Sequence, residues 1–310
     1  MVGLRRWADG PRTGPSIVME SAPRCIACSL RQAINTTART GSPPRVLREI
    51  LLEAAALLPK LDMSRPPAHN STRVLHLVPA RTGCADPYLA EKREYNKRAL
   101  ALLPRIEAAM AASADPLLTA ALTAVAGNVI DLGIASGDID VGAAYDEVMK
   151  RGFAINDVES LRAELARPRK VLYLGDNAGE VVFDRALVGY LASAGHTVTF
   201  AVHGGPILND ALLDDAREAG MDRMAALVST GSNWVGLELE TVSAGFRKVF
   251  GEAEVVIGKG QGNFETLHGV AHTPPATWFL LKAKCPSVAR ALGVAFGDVV
   301  LKKAPPKGYL

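Results

Sequence analysis

"KVLYLGDNAGEVVFDRALVGYLASAG", residues 170–195, decides the fold. Val171 to Leu174 form a short, almost unbroken apolar run, which reads as a strand buried on both faces. Gly175 and Gly179 bracket a tight turn, and from Glu180 a largely apolar stretch runs to Gly195, where a helix would stop. Strand, turn and helix make half of a parallel crossover unit. The turn itself is unusual, because Asp176 and Asn177 stand where a dinucleotide-binding turn would carry glycines.

Downstream the same rhythm repeats. "TVTFAVHG" (197–204) leads to "LNDALLDDAREAG" (208–220), "AALVST" (225–230) to "GLELETVSAGFRKVFGEA" (236–253), and "EVVIGKG" (254–260) follows. "ATWFLLKAK" (276–284), "CPSVARALG" (285–293) and "GDVVLKK" (297–303) close the series. Alternation of this kind predicts an α/β fold, a Rossmann-like α/β/α sandwich on a mostly parallel sheet. Upstream of residue 168 the character changes. "PRVLREILLEAAALLPKL" (44–61), "DPYLAEKREYNKRALALLPRIEAAMAA" (86–112) and "DPLLTAALTAVAGNVIDLG" (115–133) repeat apolar residues every three or four positions and predict helices. The expected organisation is a flexible extension over 1–22, a helical lobe over 23–167 and a Rossmann-like lobe over 168–310.

Composition narrows the function classes. The 310 residues are 48% hydrophobic and 22% charged, enough to build a full core, and the net charge is only +3. No concentrated basic patch points to nucleic acid. No run reaches the roughly 18 apolar residues that span a bilayer. The first twenty residues lack the apolar core of a signal peptide, and four cysteines in a chain this long do not make a disulfide scaffold. A cytoplasmic protein without nucleic-acid or membrane partners is expected; oligomeric state is left open.

In a parallel sheet the ligand sits beyond the carboxyl ends of the strands, so polar residues in those turns are the candidates. Asp176 and Asn177 in "GDNAGE" offer hard oxygen donors suited to Mg²⁺, Mn²⁺, Co²⁺ or Ni²⁺, and Asp210 lies in the corresponding turn one strand on. Helix capping, which is common, explains each turn better when taken alone, and the coincidence of two acidic turns on consecutive strands brings the metal reading level with it. Glu180 follows in the first helical turn. In "GKGQGNFETL" Lys259, Gly260, Gly262 and Asn263 read as an anion cradle or as a loop. Lys284 at a strand end is a point charge for phosphate oxygens. Asn128 and Asp131 in "AGNVIDLG" share a helix face within an apolar stretch and need partners. Asp86, Lys92 and Asn96 in "DPYLAEKREYN" either offer polar groups to the crevice between the lobes or form the solvated face that a charged helix usually is. Cys25 and Cys28 in "CIACSLRQA" are half of a zinc site at most; they are structural thiols first and an auxiliary metal site second, with Cys84 and Cys285 able to join only if the fold brings them close.

Taken in order, "CIACSLRQA", "DPYLAEKREYN", "AGNVIDLG", "GDNAGEVVFD", "PILNDALLDDAREAG", "GKGQGNFETL" and "KCPSVARALGV" resemble the damage-control phosphatase family, in its bacterial and archaeal branch with an N-terminal CxxC. The resemblance runs from about Cys25 to Leu301. It implies a divalent-metal-dependent phosphohydrolase acting on a small phosphorylated metabolite, a sugar phosphate or a damaged cofactor or nucleotide intermediate. On its terms Asp176, Asn177 and Asp210 match metal ligands, Lys284 a phosphate-contacting lysine, and Asn128 with Asp131 a helical motif beside the substrate. The nucleophile would be an activated water or Asp176 itself. Two other readings compete: an S-adenosylmethionine-dependent carboxyl methyltransferase, for which "GDNAGE" is a poor cofactor turn, and a non-catalytic metal- or nucleotide-binding module.

Overall fold

The computed structural model describes residues 19–129, 141–269 and 276–305. Asp131 lies outside the described residues, as do positions 1–18 of the expected extension. The last four positions of that extension are held in place: Met19 is buried against the sheet's helical cover, and the Ser21 N–H donates to the Met63 and Arg65 carbonyls.

Among the described residues, eight α-helices precede the sheet: α1 (Pro23–Ala38), α2 (Pro44–Leu57), α3 (Pro67–Leu75), α4 (Leu77–Thr82), α5 (Leu89–Leu100), α6 (Leu103–Ala111), α7 (Pro116–Val129) and α8 (Val141–Arg151). Proline stands at the first or second residue of five of them, α1, α2, α3, α6 and α7, where its missing N–H breaks no intrahelical bond. Residues 86–112 form two helices instead of one. Pro104, which has no N–H to give to a carbonyl one turn back, sits at the start of α6 and forces the break.

The second part alternates as the sequence predicts. β1 (Ile155–Asn156) and α9 (Val158–Glu164) lead into β2 (Lys170–Leu174), α10 (Glu180–Ser193), β3 (Thr197–Val202), α11 (Leu213–Glu218) and β4 (Ala226–Ser229). Then come α12 (Ala244–Glu252), β5 (Val255–Lys259), α13 (Gly260–Leu267), β6 (Ala276–Lys282), α14 (Pro286–Leu292) and β7 (Val299–Lys303). Two details differ from the sequence reading. Residues 236–243 are not part of the following helix, because the Ser243 hydroxyl accepts the Phe246 N–H at 3.1 Å and starts α12 there. "GQGNFETL" is not a loop: it is α13 itself, beginning directly at the end of β5.

The sheet order is β1-β7-β6-β5-β2-β3-β4, parallel throughout except for the β6–β7 pair. β1, too short to show a pattern, pairs with β7 at one edge. Alternate residues of each strand point to opposite covers. Val171 and Tyr173 pack with α7 and α10 residues such as Val125, Val181 and Leu187, whereas Leu172 and Leu174 pack with Phe246, Phe264 and Val288 from α12, α13 and α14. The result is an α/β/α sandwich. A small separate core of Ala33, Ile50, Ala54, Val74 and Val78 holds α1 to α4 together. No helix among the described residues is long and apolar enough to cross a membrane.

The chain winds from β2 outward to β3 and β4, then returns to place β5 on the other side of β2. The direction of winding therefore reverses between β2 and β5. A crevice opens at such a switch point, just past the carboxyl ends of the two strands.

Candidate active site

Asp176 follows β2 and Gly260 follows β5, so both stand at the switch point. They approach closely enough that a methyl group on Gly260 would lie 1.8 Å from Asp176 Oδ2. Gly260 also has a φ of 77°, a conformation that side chains on L-residues disfavour. Sequence and backbone agree that only glycine fits here.

The turn after β2 is laced to the turn after β3. Asn177 and Asp210 form an antiparallel bridge, the Ala178 N–H donates to Asn209 O at 2.9 Å, and the Ala211 N–H donates to Asp176 O at 2.9 Å. This pairing brings Asp176, Asn177 and Asp210 into one place. None of them caps a helix: α10 starts at Gly179 with no side-chain cap, and the Leu212 N–H at the start of α11 is taken by Asp215 Oδ2 at 2.9 Å. The capping alternative falls away for all three.

Beneath them lies a dense polar layer. Asn128, fully buried at the end of α7, donates through Nδ2 to Asp176 Oδ2 (2.9 Å) and Glu180 Oε1 (3.0 Å), and its Oδ1 accepts the Lys282 N–H at 2.9 Å. Asn177 Nδ2 donates to Glu180 Oε1 at 2.7 Å, which leaves the amide oxygen as the group Asn177 can offer elsewhere. Lys259, 0% exposed, places its ammonium 2.7 Å from Asp184 Oδ1 and 3.4 Å from Glu180 Oε2. Tyr173 donates its hydroxyl to the same Asp184 oxygen at 2.7 Å. Glu180 thus receives three donors, and Lys259 serves these inner carboxylates.

The other members of the expected cradle tie loops together. Asn263 Nδ2 donates to Gly175 O (3.2 Å) and Lys259 O (2.8 Å), joining the ends of β2 and β5. Gly262 packs against the loop after β4, where a methyl on Gly236 would lie 2.2 Å from Gly262 O. Lys284, two residues past β6, donates its backbone N–H to Gln261 Oε1 at 3.2 Å, and its charge reaches Asp176.

Electrostatically the site is short of positive charge. Asp176, Glu180, Asp184 and Asp210 face the ammonium groups of Lys259 and Lys284. Desolvation, then repulsion from Glu180 and Asp210, pushes the Asp176 carboxyl well above the usual carboxylate range, against the pull of Lys284 and Lys259. Burial raises Asp184 to about 6 although Lys259 opposes it. Burial alone would lower Lys259, but Asp184 and Glu180 outweigh it and leave the ammonium firmly protonated. Two carboxylates and an amide oxygen in an electron-rich pocket are the donor chemistry a hard divalent cation takes, so the residues present fit one. Among the described residues there is no cluster of three or more His, Cys, Asp or Glu arranged for a metal. A set with only two carboxylates does not depend on such a cluster.

Three participants escaped the sequence reading. His203, at the end of β3, holds Asp210 Oδ2 at 3.0 Å through Nε2, and both residues are buried. Its signal was a polar residue ending an apolar strand, one strand over from Asp176. Asp184 lies one helical turn beyond Glu180, and that i,i+4 pair of acids in an apolar helix was its signal. Gln261 has no comparable signature. It donates to Glu265 Oε1 at 2.8 Å and to Cys285 Sγ at 3.7 Å while accepting from Lys284. The CxxC lies in the first turns of α1; Cys25, Cys28 and Cys285 are free thiols. Burial raises all three, and Glu265 acts on each, so the fold does bring Cys285 towards the pair.

Known proteins resemble this chain over most of its length. A damage-control phosphatase of Archaeoglobus fulgidus is 34% identical over 92% of this chain and 99% of its own length, and one of Pyrococcus horikoshii is 32% identical over 89% and 95%. The crystal structure of a DUF89 family protein from Pyrococcus horikoshii superposes with a TM-score of 0.85 at 31% identity, covering 93% of this chain and all of that one. The model of the damage-control phosphatase ARMT1-like domain matches residues 21–300, and the chain belongs to that family.

Proposed function

We propose that this protein is a divalent-metal-dependent phosphomonoester hydrolase acting on a small phosphorylated metabolite, a sugar phosphate or a damaged cofactor or nucleotide intermediate. The observation that carries the reading is the joining of Asp176, Asn177 and Asp210 in the turns that follow adjacent strands, none of them capping a helix, among more carboxylates than cations. Family membership supports phosphatase chemistry.

Asp176 and Asp210 with the Asn177 oxygen would hold the cation. A cation bound there supplies charge neutralisation at the phosphate and polarises the bond to be broken. The chain's own groups do the rest. Lys284 adds a second positive charge within reach of Asp176, suited to the non-bridging oxygens of a transferring phosphoryl group. The first-turn N–H groups of α13, which begins at Gly260 beside Asp176, have no intrahelical acceptor, and a helix start of this kind favours an anion. Asn128 fixes the Asp176 carboxylate, so its orientation does not have to be found during the reaction. Lys259 keeps Glu180 and Asp184 from repelling their surroundings.

The test is phosphate release from p-nitrophenyl phosphate and a sugar-phosphate panel, with Mn²⁺, Mg²⁺, Co²⁺ or Ni²⁺ and without metal, for wild type and Asp176→Ala. Metal-dependent release that disappears in the variant supports the reading. No release with any metal, together with tight S-adenosylmethionine binding, would make the protein a methyltransferase instead; ligand binding without any turnover would make it a binding module.

A further inference from the structure

The motif "DPYLAEKREYN" reads from sequence as a charged, solvated helix, yet two of its polar residues are among the most deeply buried in the protein. Lys92 is 1% exposed and Asn96 is 0% exposed. Buried polar groups are retained where they find good partners, and the partners of Asn96 belong to the turn that carries Asp176 and Asn177 and to α11, the helix that follows Asp210. Asn96 Oδ1 accepts the N–H of Gly179, the last residue of the Asp176–Asn177 turn, at 2.7 Å. Its Nδ2 donates to Asp215 Oδ1 at 3.0 Å and Glu218 Oε2 at 2.7 Å, both on α11, the helix that follows Asp210. Asp215 uses its other oxygen to accept the Leu212 N–H, two residues after Asp210, and Lys92 lies 3.6 Å from that oxygen and 2.7 Å from Asp86 Oδ2. The Gly179 turn presses on α5 so closely that a methyl there would lie 3.0 Å from Tyr95 Cβ.

A single amide therefore bonds the first turn on one side and the helix that follows the second turn on the other. The two turns meet face to face through the Asn177–Asp210 bridge, and Asn96 ties them from behind. We propose that Asn96 is a positioning residue that sets the spacing between the Asp176–Asn177 turn and Asp210, and with it the affinity for a divalent cation. Lys92 and Asp215 complete the same tie. The inference rests on the metal-dependent reading above.

Mn²⁺ alone is the probe, titrated calorimetrically into the full chain with no substrate present. Wild type is expected to bind, and Asn96→Ala to bind roughly 10- to 100-fold more weakly, the range found when groups that orient metal ligands are removed. At saturating Mn²⁺ the variant should recover most of its KM for p-nitrophenyl phosphate, because the phosphate-facing groups are untouched. Should Asn96→Ala fail to fold, Asp215→Asn replaces it: whichever way that amide turns, its NH₂ confronts either the Asn96 NH₂ or the Leu212 N–H and the Lys92 ammonium, and the tie breaks. A folded variant that is less thermostable but binds Mn²⁺ within twofold of wild type overturns the proposal, since a merely structural residue behaves that way. Absence of Mn²⁺ binding in wild type itself overturns the reading beneath it and this inference together, and that result is visible before any variant is made.

Discussion

Gly260 stands against Asp176 so closely that one added carbon would lie 1.8 Å from Oδ2 and 2.2 Å from Cγ. Gly293, at the end of α14, has almost the same φ, 76° against 77°, but nothing within 4 Å of an added carbon. The two glycines separate backbone strain from contact. Gly293→Ala should lose only about 1 kcal/mol from the left-handed backbone and keep wild-type phosphatase activity. Gly260→Ala meets the same strain plus a carboxylate that Asn128 and Asn177 hold in place. It should be the less stable of the two in urea unfolding and inactive at every metal concentration. Equal activity in the two variants would mean that Asp176 is free to move aside.

Asp176 should trade stability for function. Its carboxyl titrates well above the unfolded value, through desolvation and the nearby charges of Glu180 and Asp210. A raised carboxylate pKa means that the folded state holds its proton longer than the unfolded state. The stability this gives is full below the unfolded pKa and is lost as pH rises through the folded one. At neutral pH and above, without metal, Asp176→Asn removes that loss, and its oxygen can still accept from Asn128. The expected outcome is a higher Tm than wild type in chelator at pH 8, a smaller gain at pH 4, and no activity. Added Mn²⁺ should raise the Tm of wild type only.

Much of this architecture is visible before folding is considered. β2, β5 and β6 are central strands, and burial on both faces writes them as nearly continuous apolar runs. Asp176 and Asn177 stand out because they interrupt that pattern at a strand end, and Asp210 because it lies in the turn after the next strand. What stays hidden is whatever depends on a partner distant in the chain. Lys92 and Asn96 have the composition of a surface helix, and only α10 and α11 folding over α5 turns them inward. Lys259 between glycines suggests an anion loop, whereas its position at the end of a central strand points it at Asp184 of the covering helix. The two residues of β1 carry no period at all, and pairing with β7 alone defines them.

Lys259 and Asp184 form a fully buried ion pair, 2.7 Å apart. Removing one member of such a pair leaves an uncompensated charge and typically costs about 3–5 kcal/mol. Lys259→Met exposes both Asp184 and Glu180 to that penalty, so it should lie at the upper end of the range. Asp184→Asn keeps an acceptor for Tyr173 and removes one charge. The double variant should therefore be more stable than Lys259→Met alone, an interaction measurable in a double-mutant cycle by urea unfolding. Strict additivity would mean that the two groups do not share their charge.

Glu265 offers a pH-dependent stability that has nothing to do with turnover. It is buried on α13, accepts the Ala68 N–H at 2.8 Å and the Gln261 amide at 2.8 Å, and burial raises it from 4.5 to about 7 in spite of those donors. The folded state keeps this proton while the unfolded chain loses it near 4.5. Stability is therefore full below about pH 4.5 and falls as pH rises to about 7, by about 3 kcal/mol for a shift of this size. Glu265→Gln keeps an oxygen for the Ala68 N–H and cannot ionise, so its advantage over wild type should grow between pH 5 and pH 8 and level off above. Urea titrations of both proteins at a series of pH values measure that difference directly. A difference that is constant with pH would place the Glu265 carboxyl near its ordinary value, with α13 and α3 joined by a carboxylate that ionises as readily folded as unfolded.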